Sequence, residues 1–277
     1  MSQIKQENMA IQKQSFSWLF SSNPLLGATS KTPDGSQFTA ILPEAFQLPQ
    51  NASNVQICVN SATIWFNQFN LTEDNNQFKY VRANFPVLQT LLIPPGLYSF
   101  DELNAQLISQ LAPLNLTNYR LVANQPNQRV YESFTSNPTG IIRTEWPLGT
   151  FGDVCGFDVG RVTVYPNVNP AAYPGDKTAK FNAIDYFLVQ STLVSKGVRT
   201  NGKYLGVIGQ IPINGPPGSE LLYEPQNPVF TPASELAGNV VSQVTTLLTD
   251  SNNVPVNTRG ENYTVGVVIT WQVPIYQ

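Results

Sequence analysis

Apolar and polar residues alternate with a period of two over many short stretches of the chain, which is the pattern of half-buried β-strands. The clearest stretch is 263–273, where large apolar side chains occupy every odd position. Turns rich in Pro, Gly and Asn separate these stretches. The other predicted strands are 38–42, 55–66, 78–81, 85–93, 119–123, 129–134, 141–146, 161–165, 183–194, 204–213, 240–246 and 254–256. So many short strands favour an all-β fold, either an antiparallel sandwich or a jelly roll.

One segment departs from this period and predicts a helix near 99–112. Ser99 and Glu102 have the spacing of a capping box, in which each side chain binds the other residue's backbone N–H. A stripe of apolar residues follows at spacings of three and four, formed by Phe100, Leu103, Leu107 and Leu111. The preceding Pro94-Pro95-Gly96 predicts a type II turn with Gly96 at positive φ. We expect this helix to close one end of the β fold.

The domain organisation follows from where the alternation begins. Residues 1–35 are polar, rich in Gln and Ser, and show no sustained period, which predicts an extended N-terminal arm. The aromatic cluster at 16–20 within it could pack on its own subunit or on a neighbour. Residues 36–277 are then one jelly-roll domain, with an insertion or loop excursion around 135–180.

Composition narrows the classes of function. Charged residues make up 12% of the 277-residue chain, and the net charge is −3. An average soluble domain has about 25% charged residues, so this surface must be rich in uncharged polar groups, which suits packing against other copies. Because phosphate contacts need clustered Lys and Arg, we expect no direct nucleic-acid binding by the folded domain.

The sequence offers little chemistry for catalysis. It contains no histidine, which excludes the usual Ser-His-Asp and Cys-His sites and His-metal centres. We predict that Cys58 and Cys155 are buried free thiols. Six carboxylates lie in or beside strands or in the glycine-rich stretch without forming a known motif: Glu44, Glu132, Glu145, Asp153, Asp158 and Asp185. We therefore predict no catalytic, cofactor-binding or metal-binding residues, no cofactor and no enzymatic activity.

Two further expectations concern membranes and aromatic residues. The first residues lack the apolar core of a signal peptide, and no stretch approaches about 18 apolar residues. We expect a protein that is neither secreted nor transmembrane. Trp65, Trp146 and Trp271 are expected in the core because of their strand alternation, although such residues could also line a sugar-binding groove.

The order of these features resembles a known family. It comprises the segment Ile93-Pro-Pro-Gly-Leu-Tyr-Ser-Phe-Asp-Glu-Leu-Asn-Ala-Gln-Leu107, the hairpin at 119–134, the glycine-rich stretch 148–157, and the closing strands at 204–213 and 254–273. Together they resemble the jelly-roll vertex (penton) proteins of virophages, Polinton-like viruses and related tailless icosahedral DNA viruses. The resemblance covers about residues 36–277 as an ordered pattern, and its strongest local motif is Pro95-Gly-x-Tyr-Ser-x-x-x-Leu-Asn104.

This resemblance implies a single eight-stranded antiparallel jelly roll that forms homopentamers at the fivefold vertices of a capsid. The implied partners are neighbouring major capsid proteins, with a vertex spike or an internal membrane as further candidates. The implied location is the virion, assembled inside the host cell.

Three alternatives remain open at this point. A compact double jelly-roll major capsid protein forming trimers would have roughly fifteen residues for each of its sixteen strands, close to the minimum. A β-sandwich protein that binds or cleaves glycans would need exposed aromatic residues. A host-attachment spike would need an exposed tip loop, for which 166–175 is the candidate.

Overall fold

The computed structural model describes residues 9–166, 170–182, 184–194, 199–200, 203–204, 206–216 and 218–276. These residues form two compact units. The first, Met1–Asn67 with Ile184–Gln277, is called the jelly-roll unit, and the second, Gln68–Ala183, is called the inserted unit. The chain thus leaves the jelly-roll unit once, builds the inserted unit, and returns.

The elements follow one another along the chain in three groups. Before the insertion come β1 (Met9–Ser21), β2 (Ala28–Lys31), β3 (Gln37–Gln47) and β4 (Ser53–Trp65). The inserted unit contains β5 (Gln77–Arg82), β6 (Phe85–Leu92), α1 (Phe100–Leu111), β7 (Tyr119–Asn124), β8 (Arg129–Phe134), β9 (Ile141–Trp146), β10 (Arg161–Val164) and β11 (Ala171–Pro174). After it come β12 (Tyr186–Ser191), β13 (Arg199–Thr200), β14 (Lys203–Tyr204), β15 (Val207–Pro212), β16 (Glu220–Tyr223), β17 (Thr231–Pro232), β18 (Val240–Thr249) and β19 (Thr264–Tyr276).

The jelly-roll unit has two antiparallel sheets. The first has the order β1-β19-β4-β16, with β17 also paired to β4, and the second has the order β15-β12-β18-β3-β2. Successive strands cross between the sheets, so that β1, β4, β16 and β19 lie in one sheet while β3, β12, β15 and β18 lie in the other. This is the strand arrangement of a single jelly roll, and it confirms the predicted fold class.

The two sheets enclose one hydrophobic core. Every second side chain along the strands points into it, as the sequence alternation predicted. The odd positions of β19 are an example, since Val265, Val267 and Ile269 are almost completely buried. The core also takes large side chains from other strands, among them Phe38, Ile57, Phe187 and Leu248.

The sequence predicted an extended N-terminal arm, but the described residues of that segment include a strand. Residues 1–8 of the predicted arm lie outside the described part, but β1 pairs with β19 over thirteen consecutive residues. Phe20 is buried in the core, and Trp18 packs against Phe46 of β3 with ring centroids 4.7 Å apart. The aromatic cluster therefore packs on its own chain. The sequence concealed this strand because Met9–Gln14 runs as three apolar residues followed by three polar ones, without a period of two.

The inserted unit begins earlier than predicted. The sequence suggested an excursion around 135–180, whereas the compact unit starts at Gln68. It has its own core between a sheet of order β10-β9-β5-β6 and a sheet of order β11-β8-β7. This order does not repeat the jelly roll, so the described residues contain one jelly roll rather than the two of the trimeric alternative.

Helix α1 confirms the predicted helix and belongs to the inserted unit. Its capping box is complete, because the Ser99 side chain accepts a bond from the Glu102 N–H and the Glu102 carboxylate accepts one from the Ser99 N–H. Its three leucines, Leu103, Leu107 and Leu111, are buried in the core of the inserted unit.

The turn before α1 differs from the prediction. Gly96 does not have positive φ, so the prediction of a type II turn is wrong. Glycine is needed for space instead, since a Cβ there would lie 2.8 Å from the Tyr98 ring. Gly96 and Leu71 exchange two backbone hydrogen bonds of 2.9 and 3.1 Å.

Three other predicted segments fall partly on undescribed residues. In the predicted strand 183–194, residue 183 lies outside the described part. Within the candidate tip loop 166–175, residues 167–169 lie outside the described part, and Ala171–Pro174 forms β11, which pairs with β8. Within the predicted strand 204–213, residue 205 lies outside it, and the described remainder forms the end of β14 and all of β15.

The role of β1 is tested by Phe20→Ala. Because Phe20 is buried in the core, we expect the free energy of unfolding to fall by about 3 to 5 kcal/mol. The control is Ser17→Ala, an exposed position in the same strand, where a change below about 0.5 kcal/mol is expected. Urea denaturation measures both. Equal, small effects would mean that β1 is a dispensable arm.

The capping box is tested by Ser99→Ala. Losing the side-chain bond to the helix N-terminus should lower the free energy of unfolding by about 1 kcal/mol. Ser109→Ala, on the exposed side of the same helix, serves as control because it is not at a cap. If the two variants unfold at the same denaturant concentration, the cap does not stabilise α1.

Candidate functional site

A buried carboxylate in the inserted unit is the feature most like a chemical site. Glu132 lies on β8 between Val130 and Phe134 on the face that points into the core, and it has no exposed surface. A charged group so placed must be paired or hydrogen-bonded.

Four side chains donate hydrogen bonds to Glu132. The Tyr119 hydroxyl lies 3.1 Å and the Trp146 Nε1 3.2 Å from its Oε1, which also accepts a bond from the Thr144 hydroxyl. The other oxygen, Oε2, accepts a bond from the Thr163 hydroxyl. Both carboxylate oxygens are therefore occupied by groups of the protein itself.

Arg161 adds a positive charge to this cluster. Its Nε lies 3.7 Å from Oε2 of Glu132, its guanidinium contacts Asp176 at 2.8 Å, and its Cζ lies 5.1 Å from the centre of the Phe157 ring. Arg161 thus links the buried carboxylate to a more exposed one. The arrangement ties β8, β9 and β10 together through their side chains.

The electrostatics of the cluster follow from burial. Burial raises the pKa of Glu132, while its hydrogen-bond donors and Arg161 act in the opposite direction. Burial and the neighbouring Glu132 charge also raise the pKa of Tyr119 well above its ordinary value. Burial raises the pKa of the Cys155 thiol in the same way, so this thiol is unreactive. Since Glu132 has no exposed surface, a substrate could reach it only by opening the core. The cluster stabilises the fold.

The other carboxylates named from the sequence are distributed over both units. Glu44 and Asp185 belong to the jelly-roll unit, whereas the remaining four belong to the inserted unit. Glu145 pairs with Arg143 at 2.7 Å. Asp153 and Asp158 both lie near Lys177, at 3.7 and 2.8 Å. These are surface ion pairs.

The cysteine prediction is confirmed, and the tryptophan prediction holds for two of the three residues. Cys58 and Cys155 are buried free thiols. Trp146 and Trp271 are buried in the two cores, and Trp65 is partly exposed. Among the described residues, no group of three or more acidic or cysteine side chains could hold a metal ion. No helix of the described part has the length and apolar character to span a bilayer.

The exposed edges of the jelly-roll unit are the surfaces available for function. At one side, β1 and β2 are the outermost strands of the two sheets, and at the other side the outermost strands are β16 and β15. Both sides carry exposed large apolar side chains, namely Ile11, Leu19, Leu25, Leu26 and Ile41 on the first and Leu222, Val229 and Phe230 on the second. Unpaired edges with apolar side chains are typical of protein–protein contacts. Sequence reasoning missed these surfaces.

The structural role of Glu132 is tested by Glu132→Gln. Glutamine would point an amide N–H at hydroxyl groups that now donate to the carboxylate. It would also leave Arg161 without its buried charged partner. We therefore expect the free energy of unfolding to fall by about 3 kcal/mol. Glu145→Gln, in a partly exposed ion pair, should cost less than about 1 kcal/mol. Denaturation followed by tryptophan fluorescence compares the two. Equal stability of the variants would contradict a structural role.

Comparison with known proteins finds similar folds among solved structures. No protein-family model and no curated protein sequence matches the chain significantly. Among solved structures, the mavirus penton protein is similar with a TM-score of 0.52 at 12% identity, covering 94% of this chain and 100% of that chain. A chain of the Sputnik virophage, determined by cryo-EM, has a TM-score of 0.43 at 12% identity, covering 93% of this chain and 97% of that chain.

The match to the mavirus protein extends beyond the jelly roll. The inserted unit, Gln68–Ala183, is too large to fall within the 6% of the chain that is not covered. Both units therefore contribute to the similarity, and the resemblance seen in the sequence is confirmed at the level of fold. The chain has the jelly-roll fold of the mavirus penton protein.

Proposed function

We propose that the protein is a virion structural protein, a penton-type capsid subunit that forms homopentamers at icosahedral fivefold vertices and has no catalytic role. The observation that carries this proposal is the similarity to the mavirus penton protein over both units of the chain. Neighbouring major capsid proteins are the further partners that this role requires.

The single jelly roll supports pentamers over trimers. The described residues contain one jelly roll, and the inserted unit has a different strand order. A fivefold axis requires five equivalent copies related by rotation, so a chain with one jelly roll fills that position as a closed ring. The trimeric alternative would require two jelly rolls in each chain.

The chemistry of the surface and the interior agrees with a structural role. Charged residues are few, at 12% of the chain, and large apolar side chains are exposed at both edges of the jelly-roll unit. The most enzyme-like group, Glu132, is enclosed by donors of the protein itself. The accessible features of the described residues thus favour assembly.

The proposal is tested by the mass of the purified protein in solution. We expect a particle of five times the chain mass of 30.5 kDa, measured by light scattering or native mass spectrometry. Because apolar contacts are not screened by salt, the assembly should persist at high ionic strength. A monomer at all concentrations, or a trimer, would contradict the proposed pentamer.

A further inference from the structure

We propose that the two opposite edges of the jelly-roll unit are the two halves of one head-to-tail interface, in which the exposed Leu25–Leu26 turn of one copy docks at an apolar slot on the next copy and one leucine side chain enters it. This inference rests on the proposed homo-oligomer and adds the surfaces that would build it. The occupant of the slot is a second copy of this chain.

The first half is a rigid apolar protrusion between β1 and β2. Pro24–Leu26 forms a single 3₁₀ turn in which Leu25 is 90% and Leu26 69% exposed. The Asn23 side chain accepts a hydrogen bond of 3.0 Å from the Leu25 N–H, and Gly27 ends the turn at a φ of 110°. Local hydrogen bonds thus present two leucines to solvent in a fixed conformation, which lowers the entropic cost of docking. This turn is called the leucine knob.

A groove lies beside the leucine knob on the same edge. It has a volume of about 510 Å³ and runs between the side chains of β1 and those of β3. Leu26 itself lines the groove, together with the exposed Leu19 and Ile41. The first edge therefore carries a protrusion and a hollow next to each other.

The second half is an apolar slot at the opposite edge, between β15 of one sheet and β4 and β16 of the other. Its volume is about 200 Å³, and an apolar cavity of about 150 Å³ already accepts a benzene-sized group. None of its lining residues is charged: they are Val59, Tyr186, Leu188, Val207, Ile208, Gly209, Gln210, Tyr223, Val229 and Thr231. The slot is large enough for an aliphatic side chain.

Gly209 shapes this slot. A Cβ at Gly209 would lie 2.5 Å from Cγ2 of Val59, so only glycine allows β15 to approach β4 this closely. Val229, at the mouth of the slot, is 80% exposed, and Leu222 and Phe230 nearby are exposed as well. The second edge therefore also carries a hollow with a protrusion beside it.

The arrangement of the two edges selects a second copy as the occupant. An isologous contact would place knob against knob or slot against slot, whereas a heterologous contact places each protrusion in a hollow. With the leucine knob docked at the slot, the edge that carries Val229 faces the edge that carries the groove. Each copy then contacts one neighbour through its knob and the other neighbour through its slot. Only a closed ring leaves no knob and no slot exposed to solvent.

The test compares three variants at exposed positions. The knob variant is Leu25→Asp with Leu26→Asp, the slot variant is Val229→Asp, and the control is Leu148→Asp, an 85% exposed leucine in the inserted unit. We expect the knob and slot variants to weaken assembly about 100-fold or more, seen as monomers in sedimentation velocity, while the control assembles as the unmodified chain does. Unchanged unfolding midpoints confirm that all three remain folded.

Mixing the variants tests the head-to-tail geometry. The knob variant retains an intact slot and Val229, and the slot variant retains an intact knob and groove, so an equimolar mixture should form a dimer through one unmodified interface. An isologous interface would instead let one of the two variants dimerise by itself, without its mixing partner.

The outcomes separate this inference from the proposed function. If the unmodified chain is a pentamer and both edge variants remain pentamers, the interface is wrong while the proposed function stands. If the unmodified chain is a monomer, the proposed function itself is contradicted.

Discussion

Thirteen residue pairs join β1 to β19, so that the first and last described strands lie side by side in one sheet. β19 also pairs with β4, which makes it a central strand with its buried face on the core. The jelly-roll unit is thereby closed by residues far apart in sequence. The cost of closing a loop grows only slowly with its length, so the connection from β4 to β12 can contain the whole inserted unit without loss of this pairing.

The inserted unit is stabilised by an interior of its own. Its seven strands and α1 surround a separate core, and the carboxylate of Glu132 is held inside by four donors and Arg161. A half-satisfied cluster of this kind would destabilise the core. Because both carboxylate oxygens of Glu132 accept hydrogen bonds from the protein itself, the features open to a partner are the exposed edges.

The sequence predicted those elements whose signal is local. The alternation of β19 and the capping box of α1 are complete within a few residues, and both are confirmed. β1 was missed because its first half does not alternate with a period of two and its pairing partner lies some 250 residues away. The start of the inserted unit was missed because strands of both units share the same period of two.

The candidate surfaces could not be found from the sequence, for a physical reason. The slot combines β4, β12, β15 and β16, which the fold brings together from both sides of the insertion. In the sequence, Leu25 and Leu26 fall within the predicted polar arm. The structure shows that they are exposed on a fixed turn. Glu132 left a local signal, since it occupies the core-facing position between Val130 and Phe134.

We propose that this chain is the fivefold subunit of an icosahedral capsid. The most direct measurement is a cryo-EM reconstruction of the particle that contains it. We expect five copies of the jelly-roll unit around each fivefold vertex, with the leucine knob of each copy against the slot of the next. Density for the chain at the threefold or quasi-sixfold positions, or its absence from the particle, would contradict it.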